Sequence, residues 1–201
     1  MAVRAVVFDV GNVIERWDPR TLYSKIFPDP ATRDWFLANV CTMAWHMRHD
    51  AGVPFAQNRA PLVARYPEHT EAIVAWEERW WEMFSGLIPE TVDAIERLAA
   101  RAVPMLGLTN MPPTTAAGTF AMSPAFGRLG HIVVSGEVGL CKPDPRIFAL
   151  TAERAGAAPS ELLLVDDSPT NIAAAAAFGY AVHHFDDPAA LKPALEARGL
   201  L

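Results

Sequence analysis

The sequence has little cysteine, no long hydrophobic run and no excess of positive charge. Only two of the 201 residues are cysteine, Cys41 and Cys141, which excludes a disulfide scaffold and favours reduced thiols in a cytoplasmic protein. The longest apolar run, residues 172–178, is far shorter than the roughly 18 residues that a membrane-spanning helix needs. Acidic residues outnumber Lys and Arg by 23 to 17, so we expect neither a nucleic-acid partner nor an anionic membrane.

What the sequence does contain is enough apolar material for a sizeable core, since 51% of its residues are hydrophobic. Four short runs of β-branched and apolar residues, and a weaker fifth, are typical of strands buried on both faces of a parallel sheet. These runs are residues 5–8, 103–108, 131–134, 162–165 and, more weakly, 181–185. Helical patterns separate them, so the sequence predicts a doubly wound, Rossmann-like α/β fold with a parallel sheet.

Residues 18–86 do not follow this alternation of strands and helices. They contain no strand-like run, and their apolar positions recur at helical spacing. We therefore expect a helical cap domain, residues 17–86, inserted after strand 1 of a core domain that comprises residues 1–16 and 87–201.

The tryptophans are concentrated in or beside this insert, since all six lie between Trp17 and Trp81. Most of them should form the cap core and its contact with the sheet domain, and Trp17 and Trp45 should line a substrate pocket. His46 and His49 stand three residues apart and could share a metal, but no further ligand stands near them in the sequence. We expect them to be ordinary surface or capping histidines.

The carboxyl ends of the predicted strands carry the side chains that are best suited to catalysis or ligand binding. In an open parallel sheet, ligands bind just beyond these ends. The side chains there are those of Asp9, of Thr109 and Asn110, of Lys142, and of Asp166 and Asp167. We expect them to lie together at one edge of the sheet.

This set of side chains suits a phosphoryl group. The carboxylate of Asp9 can attack phosphorus and form an aspartyl-phosphate. Thr109 and Asn110 can donate hydrogen bonds to the phosphoryl oxygens, and Lys142 can neutralise charge in the transition state. The carboxylates of Asp9 and Asp167 can hold Mg²⁺, which prefers oxygen ligands.

Four segments, in this order, resemble the motifs of the haloacid dehalogenase (HAD) superfamily. They are Asp-Val-Gly-Asn-Val from residue 9, Thr-Asn at 109, Lys-Pro-Asp-Pro-Arg-Ile-Phe from 142, and Val-Asp-Asp-Ser-Pro-Thr-Asn from 165. The insert stands where that superfamily has a helical C1 cap, and the Asp-x-Gly-Asn form resembles a sugar-phosphatase branch. The resemblance implies Asp9 as the nucleophile, Thr109 and Asn110 holding phosphate, Lys142 as the orienting cation, and a magnesium site. The metal ligands it implies are Asp9, the backbone carbonyl of Gly11, and Asp167 with Asp166 in support.

One position departs from the pattern. Many phosphatases of that superfamily carry a second Asp two residues after the nucleophile, which serves as an acid and base; this sequence has Gly11 there. Glycine cannot transfer a proton, so another group or water must do so. Glu15 and Asp18, just downstream, are the candidates that the sequence offers.

These observations predict a magnesium-dependent phosphatase that acts on a small phosphorylated metabolite, with a sugar phosphate among the candidates. A 2-haloacid dehalogenase, in which Asp9 would attack carbon without a metal, is the nearest alternative, but it has no use for the Asp166–Asp167 pair. A non-enzymatic phospho-receiver is the third reading, although receivers place their acidic pair on the first strand. The sequence leaves both a monomer and a homodimer open.

Overall fold

The computed structural model describes residues 2–201 and contains a five-stranded parallel sheet and a separate two-stranded antiparallel sheet. The strands are β1 (Ala5–Phe8), β2 (Glu15–Trp17), β3 (Phe84–Leu87), β4 (Met105–Thr109), β5 (His131–Val134), β6 (Leu162–Asp166) and β7 (Ala181–His184). The order in the large sheet is β5-β4-β1-β6-β7. The prediction of a doubly wound α/β fold is confirmed.

Eleven α-helices surround the sheets within the described residues. They are α1 (Pro19–Ile26), α2 (Pro30–Asn39), α3 (Met43–Asp50), α4 (Phe55–Arg65), α5 (Thr70–Glu78), α6 (Pro89–Ala100), α7 (Pro113–Phe120), α8 (Ser135–Val138), α9 (Pro145–Ala155), α10 (Pro169–Phe178) and α11 (Pro188–Glu196). Short 3₁₀ helices lie at Pro67–His69, Trp80–Met83, Pro124–Arg128 and Pro159–Glu161. None of the helices between residues 2 and 201 is long and apolar enough to cross a membrane.

The three central strands of the large sheet, β1, β4 and β6, are buried on both faces, and most of their residues are apolar. Successive side chains of a strand point to opposite faces. Val6 and Phe8 therefore pack with α6 and α11 on one face, whereas Val7 packs with α9 on the other. β4 begins at Met105, two residues later than predicted, because the N–H of Val103 donates to Leu98 at the end of α6 instead of pairing in the sheet.

The insert is helical as expected, but it also begins and ends with a pair of strands that were not predicted from the sequence. The chain enters and leaves it through the antiparallel strands β2 and β3, so the predicted boundaries at 16/17 and 86/87 fall within paired strands. These strands have three and four residues and lack the β-branched run that marks a buried strand. Helices α1 to α5 build a hydrophobic core of their own beside this ribbon.

Five of the six tryptophans lie in this second core or at its border with the sheet domain, and Trp35 is exposed. Trp76 and Trp80 are buried in it, and Trp17 and Trp45 pack against it. Trp81 reaches across to α7, where a Cβ on Gly118 would stand only 2.5 Å from its ring. Gly118 thus leaves the space that lets the two parts of the chain approach closely.

His46 and His49 are both buried, so the expectation of surface or capping positions is wrong. His46 Nδ1 accepts a hydrogen bond from Trp76 Nε1 at 3.3 Å, and His49 Nε2 lies 3.0 Å from the Asn58 amide. Burial lowers the pKa of His46 to about 3 and that of His49 to about 4. Both rings are therefore neutral near pH 7 and serve as packing groups.

A buried neutral histidine makes the fold sensitive to acid. Below pH 6.5 His46 takes up a proton in the unfolded chain but stays neutral in the folded protein. The free energy of unfolding therefore falls as the pH falls. We expect His46 alone to remove about 2 kcal/mol of stability between pH 7.5 and pH 5. Urea unfolding at both pH values should show a smaller loss for His46→Gln than for the wild type, and an unchanged loss for a substitution of the exposed His131. An equal loss in His46→Gln would contradict this prediction.

Candidate active site

The strand ends bring the predicted residues together. β1 ends at Phe8, and the N–H of Asp9 still donates to Val165 of β6 at 2.9 Å, which holds Asp9 at the sheet edge. Thr109 and Asp166 are the last residues of β4 and β6, which flank β1. Side chains from three adjacent parallel strands therefore converge at one edge.

The ammonium group of Lys142 lies at the centre of this edge. Its Nζ is 2.9 Å from Asp9 Oδ2 and 2.6 Å from Asp166 Oδ2, and it donates to the carbonyl of Leu108 at 3.0 Å. The side chain is 1% exposed. A buried ammonium needs this many partners, because burial alone would strongly disfavour its charge. The two carboxylates hold the pKa of Lys142 above its ordinary value despite that burial.

Asn110 fixes the loop that carries Lys142. Its amide donates to the Lys142 carbonyl at 2.9 Å, and its Oδ1 accepts from the Lys142 N–H at 2.8 Å. The side chain that the sequence predicts to hold phosphate is thus engaged in positioning the lysine. A contact from Asn110 to a phosphoryl group would have to use its remaining amide hydrogen or its backbone.

Asp9, Asp166 and Asp167 form a cluster in which one oxygen of each carboxylate lies within 4.8 Å of the others. Burial and the neighbouring carboxylates raise the pKa of Asp9, although Lys142 opposes the rise. Asp166 is held by the Ser168 N–H at 2.9 Å as well as by Lys142, so its position is fixed. Three carboxylates against one ammonium leave excess negative charge, and a hard divalent cation would offset it.

Asp9, Thr109 and Lys142 form the floor of a cavity of about 350 Å³. Its opposite wall comes from the helical insert and β3 and consists of Trp17, Met43, His46, Met47, Asp50, Trp80 and Phe84. The expectation that Trp17 lines a pocket agrees with this arrangement. Trp45 does not line the cavity, because its indole donates to Asn58 at 3.2 Å within the helical core.

Neither Glu15 nor Asp18 lines this cavity, so the structure does not support either of them as the proton donor. Asp18 caps α1 and pairs with Arg20, and the arginine holds the pKa of Asp18 below its ordinary value despite some burial. Glu15 is buried in β2, where burial raises the pKa of its carboxyl to about 7. A side chain at Gly11 would have room, because a Cβ built there meets nothing within 4 Å.

Comparison with known proteins places this site in a family. The model of the haloacid dehalogenase-like hydrolases matches residues 3–179. The chain belongs to this family. Its four predicted motifs lie within the matched region.

Two curated relatives share part of the HAD-like chain. Phosphoglycolate phosphatase of Escherichia coli K12 is 35% identical over 94 residues, which are 46% of this chain and 37% of the relative. Acyl-CoA dehydrogenase family member 10 of Mus musculus is 32% identical over 117 residues, 58% of this chain and 11% of the relative. The chain thus matches well under half the length of either relative.

Solved structures share the fold over nearly the full length. A predicted HAD-like hydrolase from Porphyromonas gingivalis superposes with a TM-score of 0.73 at 19% identity and covers 98% of each chain. A HAD-family enzyme from Bacteroides thetaiotaomicron, solved with magnesium and inorganic phosphate, gives 0.69 at 18% identity over 94% of this chain and 98% of its own. A dehalogenase gives 0.73 at 16% identity over 96% and 97%. At these identities the likeness concerns the fold alone.

The Lys142 cluster should dominate the stability of the sheet edge. Lys142→Met leaves two buried carboxylates without their cation, and we expect a loss of roughly 3–5 kcal/mol in the free energy of unfolding at pH 8. Adding Asp166→Asn should recover part of that loss, because it removes one of the unpaired charges. Lys192→Met is the matched control, since Lys192 has only an exposed pairing at 3.8 Å with Glu196. Urea titrations of the wild type, Lys142→Met, Asp166→Asn, the double variant and Lys192→Met measure this, and strictly additive effects of the two single substitutions would contradict the coupling.

Proposed function

We propose that this HAD-like hydrolase is a magnesium-dependent phosphatase that hydrolyses a small phosphate monoester through an aspartyl-phosphate on Asp9. The observation that carries the proposal is the carboxylate of Asp9 at the cavity floor, 2.9 Å from Lys142 and within the three-carboxylate cluster. The phosphatase among the curated relatives and the magnesium–phosphate complex of a structural neighbour support the same chemistry.

The residues present fit a magnesium ion. Asp9, Asp167 and the backbone carbonyl of Gly11 would hold it, with Asp166 in support, because three clustered carboxylates supply the oxygen ligands and the negative charge that it prefers. When bound, it would neutralise charge on the transferring phosphoryl group.

Side chains of the cavity floor carry out nucleophilic attack and stabilise the phosphoryl group. A carboxylate oxygen of Asp9 attacks phosphorus, the bond to the leaving oxygen breaks, and that oxygen takes a proton from water, so that the alcohol departs. Water then attacks the phosphorus of the aspartyl-phosphate, which releases inorganic phosphate and restores Asp9. Lys142 and Thr109 stabilise the phosphoryl oxygens during both steps. We further propose residues 17–86 as a cap that excludes bulk water from them, and the cytoplasm as the location of the protein.

Two other activities make different demands on the site. A haloacid dehalogenase needs the Asp9 nucleophile and Lys142 but not the three-carboxylate cluster, which would burden it with unneeded negative charge. A phospho-receiver would leave the cavity of about 350 Å³ between floor and insert without a purpose. The phosphatase gives both features a role.

The decisive experiment measures phosphate and halide release in parallel. We expect the purified protein to release phosphate from p-nitrophenyl phosphate and from small phosphorylated metabolites with Mg²⁺, and to lose this activity with EDTA. Asp9→Asn should abolish turnover while retaining the folded circular-dichroism spectrum. Halide release from 2-chloropropionate in EDTA, without phosphatase activity, would assign the dehalogenase instead, and a stable aspartyl-phosphate without turnover would assign a receiver.

Because position 11 is a glycine, we expect kcat/KM to depend strongly on the leaving group of the substrate. Without a carboxylic acid to protonate the leaving oxygen, kcat/KM should fall steeply as the pKa of the leaving alcohol rises. Gly11→Asp has room for its side chain and should raise turnover of alkyl phosphates relative to aryl phosphates by at least about tenfold.

A series of aryl and alkyl phosphates, assayed with the wild type, Gly11→Asp and the control Gly11→Ala, measures this dependence. Gly11→Ala should keep the steep slope, because it adds volume but no acid. Equal slopes in all three proteins would show that protonation of the leaving group does not limit the reaction.

A further inference from the structure

The wall of the cavity that faces the catalytic floor is aromatic and almost free of charge. The rings of Trp17, Trp80 and Phe84 line it. His46 stacks on Trp17 with a centroid distance of 5.3 Å and is neutral near pH 7, because burial lowers its pKa to about 3. Asp50 is the residue of this wall that carries an ionisable acid.

No cation is available on this wall for an acidic group of a substrate. Among residues 2–201, Lys142 is the one Lys or Arg that lines the cavity, and it is already paired with Asp9 and Asp166. Arg16 donates to a backbone carbonyl outside the cavity, and Arg20 pairs with Asp18. A carboxylate entering here would lose its hydration without gaining an ion pair, which is strongly unfavourable.

Asp50 is held rigidly in this wall. Its backbone carbonyl accepts a hydrogen bond of 2.6 Å from the buried hydroxyl of Ser135, which itself accepts from the Met111 N–H at 2.9 Å. The residue is 5% exposed and lines the cavity, and its Oδ1 lies 3.3 Å from His46 Nε2, the ring nitrogen that carries the proton because Nδ1 accepts from Trp76. A carboxylate that is fixed in the cavity wall offers a hydrogen-bond acceptor to a hydroxyl group.

We propose that the alcohol part of the substrate is uncharged, with an apolar face and a hydroxyl group, and that Asp50 makes the enzyme reject phosphate esters of hydroxy acids. The inference rests on the proposed phosphatase function and specifies its substrate class. The apolar face packs on the tryptophan rings, and the hydroxyl group donates to Asp50. A carboxylate in the same place meets Asp50 as a like charge.

The expected size of the discrimination follows from the ionisation of Asp50. Burial raises the pKa of Asp50 to about 7, with Lys142 opposing the rise. At pH 8 the carboxyl is ionised, and a second carboxylate can settle beside it only if Asp50 first takes up a proton, which costs about tenfold per pH unit above its pKa. We therefore expect a preference of at least about tenfold for an uncharged alcohol at pH 8.

Two esters of nearly equal size provide the test. 2-Hydroxyethyl phosphate carries a hydroxymethyl group where phosphoglycolate carries a carboxylate. The kcat/KM values of the two esters are compared at pH 8 with Mg²⁺. The wild type should prefer 2-hydroxyethyl phosphate at least about tenfold, and Asp50→Asn should reduce that ratio severalfold. Glu78→Gln, an exposed acid on α5, is the matched control and should leave the ratio unchanged.

A second measurement on the wild type alone covers the case in which Asp50→Asn does not fold. The preference should shrink between pH 8 and pH 6 as Asp50 takes up a proton. Protonation of the nucleophile Asp9, whose pKa is also raised, affects both esters alike and cancels in the ratio. The groups nearer the Asp50 carboxyl keep their states over this range: His46 and His49 stay neutral, and the raised pKa values of Lys142 and Cys141 keep both protonated.

The outcomes separate this inference from the function on which it rests. If no phosphate ester, including p-nitrophenyl phosphate, is hydrolysed in an Asp9-dependent way, the proposed function fails. If hydrolysis depends on Asp9 but phosphoglycolate reacts as fast as 2-hydroxyethyl phosphate at pH 8, the function stands and the inference about Asp50 is overturned. A ratio that Asp50→Asn leaves unchanged overturns it as well.

Discussion

The buried ammonium of Lys142 is the interaction on which the site depends. It bonds to Asp9 beyond β1, to Asp166 at the end of β6 and to the carbonyl of Leu108 in β4, so a single cation joins three adjacent strands. A buried charge with one partner missing is costly, and this cost enforces the geometry of all its neighbours. The amide of Asn110 completes the arrangement, because it fixes the backbone of Lys142 from both sides.

The parts that could be predicted from the sequence are those governed by local pattern. A parallel strand buried on both faces must be apolar throughout, so β1 and β6 are visible as uninterrupted runs. The functional residues follow because such strands present their carboxyl ends at one edge, which fixes where Asp9 and Asp166 must meet. The four ordered motifs depend on this same edge, and the family match covers all of them.

The parts that could not be predicted depend on tertiary contacts. The ribbon of β2 and β3 pairs segments almost 70 residues apart, and neither strand is long enough to show a pattern. The position of Asn110 in the sequence suggests a hydrogen-bond donor to phosphate. Only the folded loop shows that its amide is hydrogen-bonded to Lys142. Glu15 and Asp18 are near Gly11 in sequence, yet pairing in β2 and capping of α1 direct both carboxyls elsewhere. Of the residues in the cavity wall, Trp17 is the one that was predicted from the sequence.

The floor and the wall of the cavity differ in charge. The sheet edge that carries the floor concentrates three carboxylates and one ammonium, an arrangement suited to a cation and a phosphoryl group. The wall is aromatic, with Asp50 as its acid, and the Ser135 hydroxyl ties that residue to the core beside Met111. Because this bond fixes the wall relative to the floor, the position of phosphorus also fixes where the leaving alcohol must lie. In the proposed phosphatase, phosphate recognition is therefore built into the sheet edge, whereas side chains of the insert select the alcohol.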